Sequence, residues 1–375
     1  MFSGFYALLL GGFAAVIGGA ALGGGSSDDE DENGNSDTSE GGATYTGPEP
    51  SGGFAPPVGG FAPPAGGSGS SGGGSGKGAW DGLSAEEQMI VELINRARMD
   101  PASEVDRLDE ELASGIPSAP AAPVAVTPEL SEASREHSRD MDNRDFFAHT
   151  NPSGQTPADR AVEEGHGSRY VGENIGWVGS TRTPSDTQGR VEYHHEGLWE
   201  SDGHQRNLMN DNWSEIGVGY DYGSYRGYDG STFVTEMFGD RGETYLTGVV
   251  IEDEDDDEFY DIGEGLGGVR ITADDGSSTY TTSTWNAGGY TLALPSGTYR
   301  VQFEGGGLDA PFETTVTIGD ENVKVDVVES AGTVSVASAA PLPEAEGEDV
   351  LSFLPEVPFD EVPPEDDFED DLMMV

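Results

Sequence analysis

The sequence predicts an α+β protein in which a mixed domain precedes a small all-β domain. Two short apolar runs, 216–220 and 232–235, alternate in the way that paired strands do. Between residues 245 and 329, seven short strand-like runs follow one another, separated by Gly, Asp and Pro. This regular spacing predicts a β-sandwich as the second domain. In the first domain, apolar residues recur at helical spacing at Ile90, Leu93, Ile94 and Ala97.

Residues 1–25 are apolar and small, which predicts either a cleaved signal peptide or a membrane anchor. The basic residues that usually open a signal peptide are missing, and no cysteine is present for lipidation. The acidic run 28–32 follows directly, so both alternatives export the rest of the chain. We therefore expect an extracellular or cell-surface protein, which stays anchored if the segment is not cleaved.

Residues 26–79 are rich in Ser, Gly, Asp, Glu and Pro and nearly free of branched apolar residues. This composition predicts a disordered linker. Residues 330–375 are acidic and rich in proline, so we expect a disordered tail there as well. The folded part is therefore predicted to be the mixed domain 80–242 and the sandwich 245–329.

Three helices are predicted in the mixed domain. The first begins at Ser84, because Glu87 three residues later completes a capping box, and it ends at Asp100-Pro101. The second spans roughly 128–143, and the third spans about 186–200. Together with the strand pair these helices predict an α+β domain of ordinary size.

The formal charge is −54, from 71 acidic and 17 basic residues, and only two of the basic residues are lysines. This charge argues against nucleic-acid binding, because contacts with phosphate groups need clusters of Lys and Arg. The acidity favours solubility, divalent cation binding or life in salt, which screens the self-repulsion. The absence of cysteine excludes disulfides, thiolate metal sites and a cysteine nucleophile.

The mixed domain contains one combination of residues that points to chemistry, namely His149, Glu173 and His204. Two imidazoles and a carboxylate can share one divalent cation or one proton-transfer site. The alternative is structural, with hydrogen-bonded histidines and a carboxylate that accepts backbone N–H groups. The remaining histidines of the predicted helices favour structural roles: His137 lies on an apolar helix side, and the adjacent His194 and His195 are expected to be exposed.

A second candidate cation site lies after residue 252. Counted from the first acid, the carboxylates fall at positions one, three, five, nine and twelve, which is the ligand spacing of an EF-type calcium loop. Position six is Glu258 instead of Gly, and the flanks are predicted strands. Two alternatives therefore remain, calcium at a loop between strands or a solvated acidic loop. The five carboxylates are Asp253, Asp255, Asp257, Asp261 and Glu264.

Six motifs occur in a fixed order in the mixed domain, at residues 94–98, 137–141, 146–149, 172–175, 199–207 and 215–219. With these motifs the segment 80–242 resembles the CAP superfamily. This superfamily includes cysteine-rich secretory proteins, antigen 5 and pathogenesis-related protein 1, and the segment is most similar to the bacterial secreted, SCP-like members.

The resemblance implies a three-layer α-β-α sandwich with a central cleft. It places His149, Glu173 and His204 at cleft positions that often bind zinc. The family pattern has a second glutamate before the last histidine, but the spacing differs here, so Glu200 or Asp202 is the nearest acid for the fourth position.

The second domain contains the runs Gly-Tyr-Thr-Leu at 289–292 and Leu-Pro-Ser-Gly-Thr-Tyr at 294–299. With these residues it resembles the carboxypeptidase-regulatory or collagen-adhesin-B type of β-sandwich, and such modules usually act as stalks or spacers.

The main functional prediction is an exported binding or interaction module with a cleft that holds a divalent cation and a ligand. The ligand class stays open between lipid, glycan and protein. One alternative is a metal-assisted hydrolase in which Glu173 or a neighbouring acid serves as the general base. Another is a structural surface protein with a vestigial cleft. The sequence lacks the H-E-x-x-H motif of many zinc proteases, which favours the non-enzymatic alternatives.

Overall fold

The computed structural model describes residues 80–179, 186–330, 333–339 and 372–374. The predicted signal or anchor, the predicted linker and most of the predicted tail lie outside these residues. No described helix is long and apolar enough to cross a membrane.

The mixed domain contains six helices and four strands within the described residues. In chain order they are α1 Ala85–Met99, α2 Pro101–Leu108, β1 Ala125–Val126, α3 Pro128–Arg144, α4 Pro157–Glu164, β2 Val171–Val178, α5 Thr187–Trp199, α6 Asp202–Leu208, β3 Glu215–Tyr225 and β4 Tyr228–Gly239.

The predicted ends of α1 are confirmed. The Ser84 hydroxyl accepts the Glu87 N–H and the Glu87 carboxylate accepts the Ser84 N–H, which completes the capping box. At the other end, Asp100 closes α1 and caps α2 by accepting the Ser103 N–H. The prediction of a single stop at this point missed α2, since Pro101 fits the first turn of a new helix.

The central sheet has the strand order β1-β3-β4-β2, with β1 and β3 parallel and the other pairs antiparallel. Neighbouring residues of β4 pack in different directions. Val234 and Phe238 join the cluster that contains α1 and α5, whereas Phe233 and Met237 join clusters that contain residues of α3. Helices therefore bury both faces of this sheet, and its strands carry side chains to two separate cores.

Helix α3 lies directly against β3, because two glycines leave room for its backbone. A Cβ on Gly217 would lie 2.0 Å from the Leu130 carbonyl carbon, and one on Gly219 would lie 2.4 Å from the backbone nitrogen of Arg135. The hydroxyl of Ser134 donates to the carbonyl oxygen of Gly217 at 3.0 Å. The motif at 215–219 is thus a packing motif, which fixes α3 on the sheet.

The second domain contains eight strands within the described residues. In chain order they are β5 Tyr245–Glu252, β6 Arg270–Asp274, β7 Thr279–Ser283, β8 Gly289–Ala293, β9 Gly297–Glu304, β10 Phe312–Ile318, β11 Val323–Ser330 and β12 Thr333–Ala339. They form two four-stranded sheets, with orders β10-β9-β6-β7 and β12-β11-β5-β8. The seven predicted strands are all present, within two residues at each end. A further strand, β13 Leu372–Met374, lies in the central sheet.

Two strands lie in the segment for which we expected no structure. β12 pairs antiparallel with β11, and β13 pairs antiparallel with the end of β2 in the central sheet. The expectation of disorder from residue 330 therefore does not hold for 333–339. Without β12, β11 would be an edge strand, and its unpaired backbone groups can bond to an extended segment that follows it, whatever the composition of that segment.

The two domains meet through a buried polar junction. The indole N–H of Trp285 donates to the Gln88 side chain on α1 at 2.8 Å. The Asn322 amide donates to the carbonyl oxygens of Pro123 and Ser214. Lys324 on β11 forms an ion pair with Glu92 on α1 at 2.7 Å, and both side chains are only 4% exposed. These contacts fix the sandwich against α1 and the central sheet.

Candidate functional site

The candidate site centres on Glu173, at the start of β2, whose side chain is 2% exposed. One carboxylate oxygen lies 2.9 Å from His149 Nδ1, and the other accepts a hydrogen bond from the Arg160 guanidinium. Arg160, on α4, also donates to the carbonyl oxygen of His149 at 3.0 Å. The structure therefore brings His149 and Glu173 together, and adds an arginine that bonds to both.

His137 lies behind this pair on α3. Its Nε2 lies 3.1 Å from the carbonyl oxygen of Ala148 and 3.9 Å from a Glu173 carboxylate oxygen. Burial lowers the pKa of His137 to about 4, although the carboxylate of Glu173 opposes this shift. The prediction of a buried, hydrogen-bonded histidine is confirmed. This neutral ring lies next to the carboxylate of Glu173.

His204 reaches the site from α6 and is 6% exposed. Its carbonyl oxygen accepts a hydrogen bond from the Asn174 amide at 3.4 Å. The Asn207 amide bonds to Asn174 Oδ1 at 2.9 Å and to the carbonyl oxygen of Glu173 at 3.3 Å. Asn174 and Asn207 thus join α6 to β2, next to the residue that pairs with His149.

The ligand atoms of the three predicted cleft residues, His149, Glu173 and His204, do not cluster around one position. Among the described residues, the only acidic or histidine group with three ligand atoms within 4.8 Å of one another is Asp253, Asp255 and Asp257. Glu173 and Asn174 are consecutive on β2, so their side chains project to opposite faces of the sheet and reach different partners. Glu173 contacts His149 and Arg160, whereas Asn174 contacts the backbone of His204 and the side chain of Asn207.

A zinc ion with His149, Glu173 and His204 as three direct ligands does not fit this arrangement, because Arg160 holds one oxygen of Glu173 and His149 Nδ1 the other. The residues fit in a different way. A carboxylate that accepts the Nδ1 proton of a histidine orients the ring and leaves Nε2 for a metal or ligand. Glu173 would then orient His149, whose Nε2 would be the direct ligand.

The acids proposed for the fourth position lie towards solvent. Glu200 is exposed at the end of α5, and the Asp202 side chain is 75% exposed, with Arg206 3.8 Å away. The acid next to the site is Glu236 on β4, which is 1% exposed and accepts a hydrogen bond from the Asn174 amide at 3.0 Å. Burial raises the pKa of Glu236 to about 7.

Sequence reasoning missed both Glu236 and Arg160. A usable signal existed for Glu236, which is an acid within the apolar alternation 232–238 that marks β4. Arg160 gave no such signal, since an arginine in a short helix is usually exposed. Here it is 3% exposed, because its guanidinium reaches from α4 to the carboxylate of Glu173.

The expectation that His194 and His195 are exposed is wrong, since each is 1% exposed. His194 lies 2.8 Å from the Thr232 hydroxyl on β4, and His195 lies 2.7 Å from the Glu104 carboxylate on α2. Helix α5 is covered on two sides, so adjacent residues that face different directions are both buried. Burial lowers the pKa of His194 to about 3, so that ring is neutral.

A polar groove of about 490 Å³ opens beside Arg160. It follows the sides of α3 and α4 and includes the loop that carries Asn151. Its charged groups are of both signs, so it suits a polar ligand better than an apolar one. The charged lining residues are Glu136, Arg139, Asp140, Arg144, Arg160 and Glu163.

The acidic loop between β5 and β6 is organised by its own carboxylates. Asp253 accepts the backbone N–H of Asp256 at 2.9 Å, and Glu264 accepts those of Glu254 and Asp261 at 2.9 and 3.0 Å. Burial, reinforced by neighbouring acids, raises the pKa values of Asp261 and Glu264. Three of the five predicted ligands lie together, and calcium binding stays a prediction.

Comparison with known proteins identifies the first domain. Residues 91–238 match the model of the cysteine-rich secretory protein (CAP) family. The uncharacterized protein YkwD of Bacillus subtilis is 28% identical over 138 residues, which are 37% of this chain and 43% of that protein. No comparison identifies the type of the β-sandwich.

Solved structures give matches of the same extent. An extracellular protein with an SCP domain from Bacillus anthracis is 25% identical, with 41% of this chain and 39% of that chain covered and a TM-score of 0.26. An outer surface protein from Borrelia burgdorferi is 15% identical, with 42% of this chain and 92% of that chain covered and a TM-score of 0.28. The chain thus spans about two fifths of the Bacillus relatives.

Proposed function

From the CAP domain that residues 91–238 form, we propose that this chain is an exported binding module. Its ligand would be recognised at the cleft around His149 and Glu173. The secretory character named in the family's description supports export, and so does the apolar segment 1–25. In this proposal the β-sandwich is a spacer that holds the cleft away from the cell surface.

The hydrogen bonds of Glu173 favour a binding function over a hydrolase function. A general base must have an oxygen available to take a proton from water. Both oxygens of Glu173 are engaged, one by His149 and one by Arg160, and the side chain is only 2% exposed. Glu173 is therefore suited to orient His149, and poorly suited to activate water.

His149 is the residue that meets the ligand in this proposal. Its side chain is 35% exposed, whereas that of Glu173 behind it is buried. With Nδ1 directed to the carboxylate, the ring offers Nε2 as a hydrogen-bond acceptor or metal ligand. If zinc binds, His149 would be a direct ligand, and the ion would supply a positive charge that attracts an anionic group of the ligand.

The groove beside Arg160 narrows the ligand class. Among the three classes left open by the sequence, a lipid tail fits least, because six charged side chains line this groove. A peptide or a glycan carries the hydrogen-bonding groups that such a surface can pair. We therefore favour a polar extracellular ligand that lies along α3 and α4 in this groove, next to Arg160.

The test uses the metal-stripped full chain titrated with zinc by calorimetry, with casein hydrolysis measured in parallel. We expect one-site zinc binding that is weakened at least about tenfold in His149→Ala. Glu173→Gln should weaken it less, because it removes an orienting contact and no direct ligand. Asp202→Asn is the matched control and should bind as the wild type does, since Asp202 faces solvent.

Two outcomes would overturn the proposal. Casein hydrolysis by the wild type that is lost in His149→Ala would establish the hydrolase alternative. Zinc binding that is absent, or unchanged in His149→Ala, would remove the cleft as the binding site and leave the structural alternative.

A further inference from the structure

A second groove, of about 480 Å³, lies where the CAP domain meets the β-sandwich. The beginning of α3 forms one side, and the strands β7 and β8 form the other. Trp80 and Trp285 line it, with their rings 5.3 Å apart in an edge-to-face arrangement. This groove is separate from the polar groove beside Arg160, and no residue lines both.

The lining of this groove contains polar atoms without hydrogen-bond partners. Thr127 is the N-cap residue of α3 and is 2% exposed, yet its hydroxyl caps no backbone N–H. An N-cap threonine normally accepts such a bond, and a buried hydroxyl without a partner is destabilising. Within the described residues, four buried atoms of the lining share this condition: Trp80 Nε1, Thr127 Oγ1, Glu129 Oε2 and Thr291 Oγ1.

One wall of the groove is held rigid from behind. Glu215 is fully buried and accepts hydrogen bonds from Arg241 Nε at 2.7 Å and from the Tyr245 hydroxyl. His166 Nε2 lies 2.7 Å from its other oxygen. Arg241 and Tyr245 both line the groove, and Arg241 approaches Glu129 at 3.6 Å. A polar wall fixed in this way needs no reorganisation to receive a ligand.

The side chains that line this groove indicate which class of ligand it can bind. The two indoles offer apolar surface on which the C–H face of a sugar ring can lie. The unpartnered atoms include a donor, an acceptor and two hydroxyls that serve as either. A ligand that pairs them must carry several hydroxyl groups. We propose that this groove binds a neutral saccharide, with pyranose rings against the tryptophans and hydroxyls bonded to Thr127, Glu129 and Thr291.

Charge argues against the two nearest alternatives. Asp81, Glu129 and Glu243 outnumber Arg241 in the lining, so an anion would be repelled. A quaternary ammonium suits aromatic rings and acids, but it has no hydroxyl to pair with the threonines or the indole N–H. A neutral polyol is the class that satisfies both the charge and the hydrogen-bonding groups.

The experiment measures saturation-transfer NMR and tryptophan fluorescence of the full chain with cellobiose, maltose and diacetylchitobiose. We expect at least one of these probes to bind and to lose affinity about tenfold in Thr127→Val and in Thr291→Val. Thr298→Val is the matched control, because Thr298 is exposed on β9 outside the groove, and it should bind normally. Glu129→Gln provides a second variant, whose side chain is partly exposed and should fold.

The proposal is wrong if none of the three neutral probes binds, or if the affinity is unchanged in both valine variants and in Glu129→Gln. Binding of tetramethylammonium in place of the sugars would assign the groove to a cation. His149→Ala serves to separate the two sites, since it should leave saccharide binding unchanged. Saccharide binding that is lost in His149→Ala would place the sugar in the CAP cleft and not in this groove.

Discussion

Individual histidines in this protein differ in role because their neighbours differ. His149 is partly exposed, with one nitrogen against Glu173, whereas His194 is sealed against Thr232. His195 sits in a buried cluster with Glu104, which also pairs with Arg107. The sequence identifies the residue type, but the partner that decides protonation and access comes from a distant element.

Glu236 is a buried acid whose ionisation affects stability near neutral pH. Burial raises its folded pKa from 4.5 to about 7, and the hydrogen bond from Asn174 only partly offsets this. The folded state therefore keeps the proton over a pH range in which the unfolded chain has lost it. Stability from this group is complete below pH 4.5 and is lost as the pH rises towards 7.

We predict that Glu236→Gln removes this loss of stability at high pH. The free energy of unfolding of the variant, relative to that of the wild type, should rise by up to about 3 kcal/mol between acidic and mildly alkaline pH. Urea denaturation across that pH range measures it. Glu304→Gln, at an exposed position on β9, is the control and should show no such trend. A pH-independent difference for Glu236→Gln would contradict the prediction.

At the scale of elements, the helices with a strong local signal were predictable and the short ones were not. α1, α3 and α5 have caps or apolar periodicity, and their predicted ends agree with the structure within two residues. α2, α4 and α6 have only seven or eight residues. Helices of that length are marginal by themselves and form because they pack on the rest of the domain.

The crossing of α3 over β3 allows a direct test of element packing. Gly217→Ala should destabilise the protein by about 3 kcal/mol or more, because the added Cβ would overlap the α3 backbone, which has no room to move. Gly203→Ala is the matched control, since nothing lies within 4 Å of its added Cβ. Thermal melting followed by circular dichroism compares the two. Equal melting temperatures would show that α3 does not pack as described.

At the scale of the whole molecule, the two domains are joined by polar contacts that are sealed from water. Glu92, Lys324 and Asp326 meet at the junction, and the Lys324 pKa is raised because these two carboxylates outweigh its burial. The acidic loop also touches the CAP domain, since Gln188 on α5 donates to Asp261 at 2.6 Å. Binding of a cation at this loop would therefore affect the stability of both domains.

Calcium binding is predicted to act on the whole molecule through this linkage. Calcium added to the metal-stripped chain should raise the melting temperature, with a gain of about 2.7 kcal/mol when calcium is a hundredfold above its Kd. The double variant Asp255→Asn/Asp257→Asn should lose the shift, while Asp275→Asn, in an exposed turn, should keep it. Differential scanning calorimetry gives the measurement, and a wild type that is insensitive to calcium would leave the acids as a solvated loop.

The sequence by itself determined the long helices of the first domain and seven strands of the second. Capping at Ser84 and the regular spacing of the seven strands are local patterns, and the ordered motifs indicated the CAP domain. Local patterns suffice for such features because helices and strands depend on neighbours a few residues away.

Only the tertiary structure decided which side chains meet. It placed Arg160 on Glu173, buried Glu236 beside Asn174, and joined Gln88 to Trp285, which are 197 positions apart. It also separated the ligand atoms of His204 from the pair formed by His149 and Glu173. Such pairings depend on the packing of whole elements and on the face to which each strand residue points, and these are set by the fold and not by spacing along the chain.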